Sequence, residues 1–191
     1  REWQEKIFKG KVLYSVTEEK EGYLIATSKE TASGIFYRIN FNPKKEPMVS
    51  WKWKVIKFPE KIEGASAAGS WIEKDDYAAR FYIIFPGMSF ASTKSLEYVW
   101  DKTLAEGTIM TSPYFKNIKI IVVESGTRNI GNWVYEERNI INDFKEAFGK
   151  EYSCPSVGAI AIMTDSDNSI STAEAHYDEM KVGYKNEPES E

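Results

Sequence analysis

Met48-Val49-Ser50-Trp51-Lys52-Trp53-Lys54-Val55-Ile56 decides the fold class. Val49, Trp51, Trp53 and Val55 fall on one parity, and Ser50, Lys52 and Lys54 on the other. Successive side chains of a β-strand point to opposite faces, so the alternation predicts a half-buried antiparallel strand. Trp51 and Trp53, on the apolar parity, read as core.

Further segments continue the pattern on both sides. Towards the N-terminus, strands are expected over residues 11–16, 22–27 and 33–39, with an acidic turn over 18–21 and a stop at Asn42-Pro43. Towards the C-terminus they are expected over 77–85, 95–100, 118–124, 133–138, 157–163 and 173–182. A Gly-, Ala- and Ser-rich loop over 58–75 interrupts the series, and loops of that length are commonly functional or mobile. One helix is predicted over 140–148. Ile140, Ile141, Phe144, Ala147 and Phe148 form its apolar stripe, Asn139 suits the N-cap and Gly149 the C-cap.

Nine or ten short strands and one helix predict an all-β fold: an antiparallel β-sandwich of jelly-roll, galactose-binding-like type. No repeat or linker breaks the chain. It reads as a single domain over residues 1–184 followed by a polar tail over 185–191.

Composition narrows the function classes. The chain has 191 residues, 42% hydrophobic, which is enough for a substantial core. Net charge is -4, with 25 basic and 29 acidic residues and no basic block, so a nucleic-acid footprint is not indicated. No apolar run is long enough to span a bilayer as a helix. One cysteine, Cys154, and one histidine, His176, exclude an intrachain disulfide and a Cys/His zinc cluster. The first residue is Arg1 rather than Met, as expected of a processed or truncated form.

The acids gather at one place. Asp165-Ser166-Asp167-Asn168 follows an apolar strand directly. Asp and Asn favour turns because their side chains bond nearby amides, and an acidic turn is one reading. The other is a hard-cation site for calcium, which takes several carboxylate, amide and carbonyl oxygens. An EF-hand is excluded, since Ile170 and His176 stand where its Gly and Glu would be. Over 173–182 the apolar parity shifts from Ala173, Ala175 and Tyr177 to Met180 and Val182. A bulge near Asp178-Glu179 would reconcile the two and could re-aim Asp178 toward the turn, making Asp165, Asp167, Asn168 and Asp178 the expected metal set.

Ligand-binding expectations rest on charge and aromatics. Asp75 and Asp76 precede a strand in which Arg80 and Tyr82 oppose Phe81 and Ile83. Arg80 can pair with Asp76 or present its planar fork to a ligand. Trp71, Tyr98, Trp100, Trp133 and Tyr135 lie near loops or strand ends and are candidates for stacking on a sugar ring. Tyr98, Trp100, Trp133, Arg80 and Asp76 form the expected ligand-binding set.

Nucleophilic catalysis has little support, since His176 and Cys154 match no catalytic motif. The segment 64–69 lacks the Lys-Ser/Thr and the helix of a phosphate loop.

Segments 50–55, 74–80, 98–100, 137–140, 147–149 and 162–168, together with 173–180, resemble in their order a bacterial family of uncharacterised proteins, domain of unknown function three thousand and forty-seven. The resemblance spans nearly the whole chain. It implies a bacterial, exported protein, placed in the periplasm or outside the cell, and brings no activity with it.

The expected function is a non-catalytic module that binds carbohydrate, with calcium as a structural cofactor. The alternatives are a carboxylate-based glycan hydrolase using Asp165, Asp167 or Glu124, and an accessory protein-binding domain.

Overall fold

The computed structural model describes residues 2–18, 22–61 and 75–185. Most of the long loop, with Trp71, lies outside the described residues, as do part of the acidic turn and residues 186–191 of the tail.

Two sheets pack face to face. β1 (Gln4–Lys9), β4 (Ala32–Phe41), β11 (Val157–Asp165), β6 (Ala79–Phe85), β7 (Lys94–Asp101), β9 (Ile118–Ser125) and β8 (Ile109–Thr111) form the larger, in the order β1-β4-β11-β6-β7-β9-β8. β10 (Val134–Asn139), β5 (Met48–Lys57), β12 (Thr172–Tyr184), β3 (Leu24–Lys29) and β2 (Leu13–Val16) form the smaller, in the order β10-β5-β12-β3-β2. All pairs are antiparallel except β7 with β9, which run parallel: β8, between them in the chain, sits at the sheet edge beyond β9 and pairs antiparallel with it.

The sandwich and the helix are as the sequence predicts. α1 (Ile140–Phe148) starts at Asn139, whose side chain accepts the amides of Ile141 and Asn142, and ends at Gly149. Two strands escape the alternation. β1 is exposed at every residue, so no apolar face marks it, and β8 has only three residues.

The core is aromatic. Trp51 and Trp53 of β5 are fully buried. Trp51 stacks on Phe81 of the opposite sheet at 4.4 Å and lies 5.2 Å from Tyr98. Each such ring removes roughly 150–250 Å² from water, worth about 4–6 kcal/mol before entropy. Two stacking candidates must be corrected here: Tyr98 and Trp100 are fully buried. They share the inward parity of β7 with Leu96, so their rings face the other sheet. Trp100 donates its indole N–H to Gly126 O at 3.0 Å, and the Tyr98 hydroxyl donates to Asp143 of α1 at 2.8 Å.

The same parity rule positions the site. With Phe81, Ile83, Leu96, Tyr98 and Ile162 turned inward, Arg80, Tyr82, Glu97, Met163 and Asp165 stand on the outer face of the larger sheet.

Candidate ligand-binding cleft

A cleft of about 380 Å³ lies on that outer face. Arg80, Tyr82, Glu97, Met163 and Asp165 make its floor, Asp75, Asp167 and Asn168 one side, and Phe8, Tyr114 and Phe115 are aromatic walls. These three rings are 59%, 48% and 43% exposed, so they meet solvent where the core aromatics do not.

Arg80 organises the floor. It is nearly fully buried, and its Nη1 donates to Glu97 Oε1 at 2.7 Å. Its Nε donates to Asp165 Oδ1 at 2.9 Å, and its Nη2 donates to Asp165 Oδ2 and to the carbonyl of Asp75. Asp165 Oδ1 also accepts the Tyr77 amide at 2.9 Å. A buried charge is tolerated when paired and hydrogen-bonded, and planar fork-to-carboxylate contacts are the strong form of such a pair. The backbone behind it is tied down as well. Tyr177, reaching across from β12, accepts the Arg80 amide at 3.2 Å and donates to Met163 O at 2.7 Å.

Asp75 differs from its neighbours. It is 6% exposed, and its Oδ1 has no hydrogen-bond partner among the described residues, lying 3.7 Å from Arg80 Nη1. Burial pushes its carboxyl up to about 7, against the pull of Arg80. Burial likewise raises Asp165, with Arg80 opposing.

Asp76 has a different role from the Arg80 partner expected of it. Its carboxylate accepts the Asn168 amide at 3.2 Å, the Ser169 amide at 2.6 Å and the Ser169 hydroxyl at 2.5 Å, so it pins the turn after β11. Asn168 in turn accepts the Tyr114 hydroxyl at 3.1 Å, linking that turn to the aromatic wall.

Asp76, Asp165 and Asp167 each bring one carboxylate oxygen within 4.8 Å of the others, a grouping that can hold a metal ion. Asp178 is not part of it. The bulge lies where expected, between Asp178 and Lys181, with Glu179 at φ 45°. It leaves Asp178 beside Lys52 on the smaller sheet, accepting the Glu179 amide at 2.8 Å. About 20 Å of strand separates Thr172 from Asp178, too far for a shared ion.

Trp133 also stands apart. It lies just before β10, 38% exposed, edge-on to Tyr23 at 5.2 Å, with Lys54 Nζ 4.7 Å above its ring. Lys54 alternates with the inward Trp53 and Val55, which puts the Trp133 cluster on the outer face of the smaller sheet, opposite the cleft. Glu124 does not line the cleft and accepts from Asn129 at 3.4 Å.

The cleft thus unites Arg80, Asp165, Asp167 and Asn168 and sets Asp76 behind them. Sequence reasoning missed Glu97 and the walls at Phe8, Tyr114 and Phe115. Glu97 had a signal, an acid on the parity opposite Leu96 and Tyr98 in an apolar strand. The walls had none, because they come from an edge strand and a loop.

Residues 1–181 match the family described as protein of unknown function, DUF3047. The chain belongs to this family. No curated protein matches it. Among solved structures, this DUF3047 domain is similar to the xyloglucanase domain of NopAA, a type three effector from Sinorhizobium fredii, at 9% identity and TM-score 0.53, covering 96% of this chain and 93% of that one. It is also similar to endoglucanase cel12A from Rhodothermus marinus, at 10% identity and TM-score 0.52, covering 94% and 95%. The family 11 carbohydrate-binding module of Lic26A-Cel5E from Clostridium thermocellum follows at 11% identity and TM-score 0.49, covering 98% and 91%. The likeness to the xyloglucanase domain and to the endoglucanase establishes the β-jelly-roll fold of this DUF3047 domain. No helix among its described residues is long and apolar enough to cross a membrane.

Proposed function

We propose that this domain is a non-catalytic glycan-binding module whose ligand lies in the cleft on the outer face of the larger sheet. The observation that carries the reading is the pairing of exposed rings with a fixed polar floor. Phe8, Tyr114 and Phe115 border a cleft floored by Arg80, Glu97 and Asp165. Sugars present apolar ring faces and polar edges, and a site of this kind meets both. The volume falls within the range of ligand sites. The fold is shared with a xyloglucanase domain and an endoglucanase, which supports a glycan as the ligand class. A periplasmic or extracellular setting belongs to the same reading.

Binding is favoured over hydrolysis by access. A glycosidase needs two carboxyl groups at the scissile bond. Glu97 and Asp165 are 2% and 3% exposed, both held by Arg80, and both oxygens of Asp165 are already engaged. We also assign the positive charge at the acidic turn to Arg80 rather than to calcium. Calcium takes six to eight oxygens, whereas Asp165 is bound by Arg80 and Asp76 by the turn amides.

Calorimetric titration with soluble β-glucan and xyloglucan oligosaccharides tests the proposal. Binding is expected, with Tyr114→Ala weakening it about tenfold, the loss of one stacking platform. Turnover of these sugars, or binding unaffected by Tyr114→Ala and by Phe115→Ala alike, would contradict it.

A further inference from the structure

The cleft is lined by more acidic than basic side chains. Asp75, Glu97, Asp165 and Asp167 line it, against Arg80 and Lys9. Arg80 is consumed by Glu97 and by both oxygens of Asp165. Lys9 is an exposed side chain 3.7 Å from Asp167. Asp75 lines the same cleft, and its buried Oδ1, 3.7 Å from Arg80 Nη1, accepts no hydrogen bond among the described residues. A buried carboxylate oxygen without a donor is costly, and a ligand that brings a donor recovers that cost.

Resting on the glycan reading above, we propose that the cleft selects a glycan bearing free amino groups, a glucosamine-type chain whose ammonium sits between Asp75 and Asp167. Three features fit this class. An ammonium supplies three donors and a positive charge, which a neutral hydroxyl does not. Uronate or sulfated chains would add negative charge to a cleft already lined by more acids than bases. The aromatic wall at Tyr114 can meet the ring face of an amino sugar as it can that of glucose. Burial holds the Asp75 carboxyl up to about 7, and a cation beside it would favour the ionised form.

The experiment is a calorimetric comparison of three β-1,4-linked oligosaccharides of equal length: glucosamine, its N-acetylated form and glucose. It is run near pH 7, where the Asp75 carboxyl, pushed up to about 7, can ionise beside the charged amine. The glucosamine chain is expected to bind about tenfold tighter than the other two, the worth of one charge-assisted contact. Asp75→Asn and, separately, the more accessible Asp167→Asn should each bring that ratio to within about twofold. The two variants guard against a folding defect in one, and a melting curve of each identifies such a defect. Equal or tighter binding of the neutral chains overturns amino-sugar selection while leaving the glycan-binding reading in place. So does a ratio that survives both substitutions in folded protein. Binding of none of the three overturns amino-sugar selection, and the glycan-binding reading falls with it if the xyloglucan oligosaccharides also fail to bind.

Discussion

Arg80 of β6 grips Asp165 of the neighbouring β11 by both carboxylate oxygens, Nε to Oδ1 at 2.9 Å and Nη2 to Oδ2. This pair stands on the solvent side of the larger sheet and is still almost wholly buried, because the aromatic walls and the turn after β11 cover it. Removing one partner leaves the other charge buried and alone. Arg80→Met and Asp165→Leu are each expected to cost about 3–5 kcal/mol, and the double variant less than their sum. Urea unfolding of the four proteins measures this. Additive losses would show that the two residues do not act as a pair.

The turn after β11 is the place where calcium was expected, and Asp76 bears on that expectation. Its carboxylate gathers the amides of Asn168 and Ser169 and the Ser169 hydroxyl. If these donors and Arg80 complete the site, added calcium or EDTA will leave the melting temperature within about 1 °C. Asp76→Ala, by contrast, will cost about 2–3 kcal/mol through three lost charge-assisted bonds. A calcium-dependent rise of several degrees would reassign the acidic group to a metal.

How far the sequence carried these conclusions depends on parity and on partners. Alternation in β5 placed Trp51 and Trp53 correctly in the core, and the phase slip over 173–182 is the bulge at Asp178. Both features are local, so one strand suffices to reveal them. Reading Tyr98 and Trp100 as surface platforms failed because proximity to a strand end was weighed above their shared parity with Leu96. The cleft needs information no single strand contains. Arg80 meets Asp165 across 85 positions of chain because β11 lies between β4 and β6 in the sheet. Strand order is set by the packing of the whole sandwich, so Arg80 was given Asp76, the nearer acid in sequence. The bulge itself was legible, while the destination of Asp178 depended on distance along β12.

Trp133 offers a control because it lies on the other side of the molecule. Its ring packs with Tyr23 and Lys54 on the smaller sheet, whereas Tyr114 borders the cleft. Trp133→Ala is expected to leave the affinity for soluble glycan oligosaccharides within about twofold of wild type, while Tyr114→Ala lowers it about tenfold. Titration of both variants decides the face. The reverse order of effects would move the binding surface to the smaller sheet.

Glu136 gives the domain a pH dependence separate from the cleft. It lies on β10, half-buried, and Oε1 accepts no hydrogen bond of good geometry among the described residues, with the Trp53 side chain pulling against its burial as a neutral donor. Burial, together with the nearby charge of Glu124, pushes its carboxyl up to about 8. An unfolded Glu titrates at about 4.3. Between these values the folded chain holds a proton that the unfolded chain has released, so this group's contribution to stability falls as pH rises through the window and levels off above about 8. Glu136→Gln keeps the shape and cannot ionise. It should therefore match wild type near pH 4 and exceed it by roughly 1–3 kcal/mol near pH 9. Urea midpoints of the two proteins across that range provide the measurement. A stability difference that stays constant with pH would mean that Glu136 titrates as it does in the unfolded chain, and that the end of β10 is open to water.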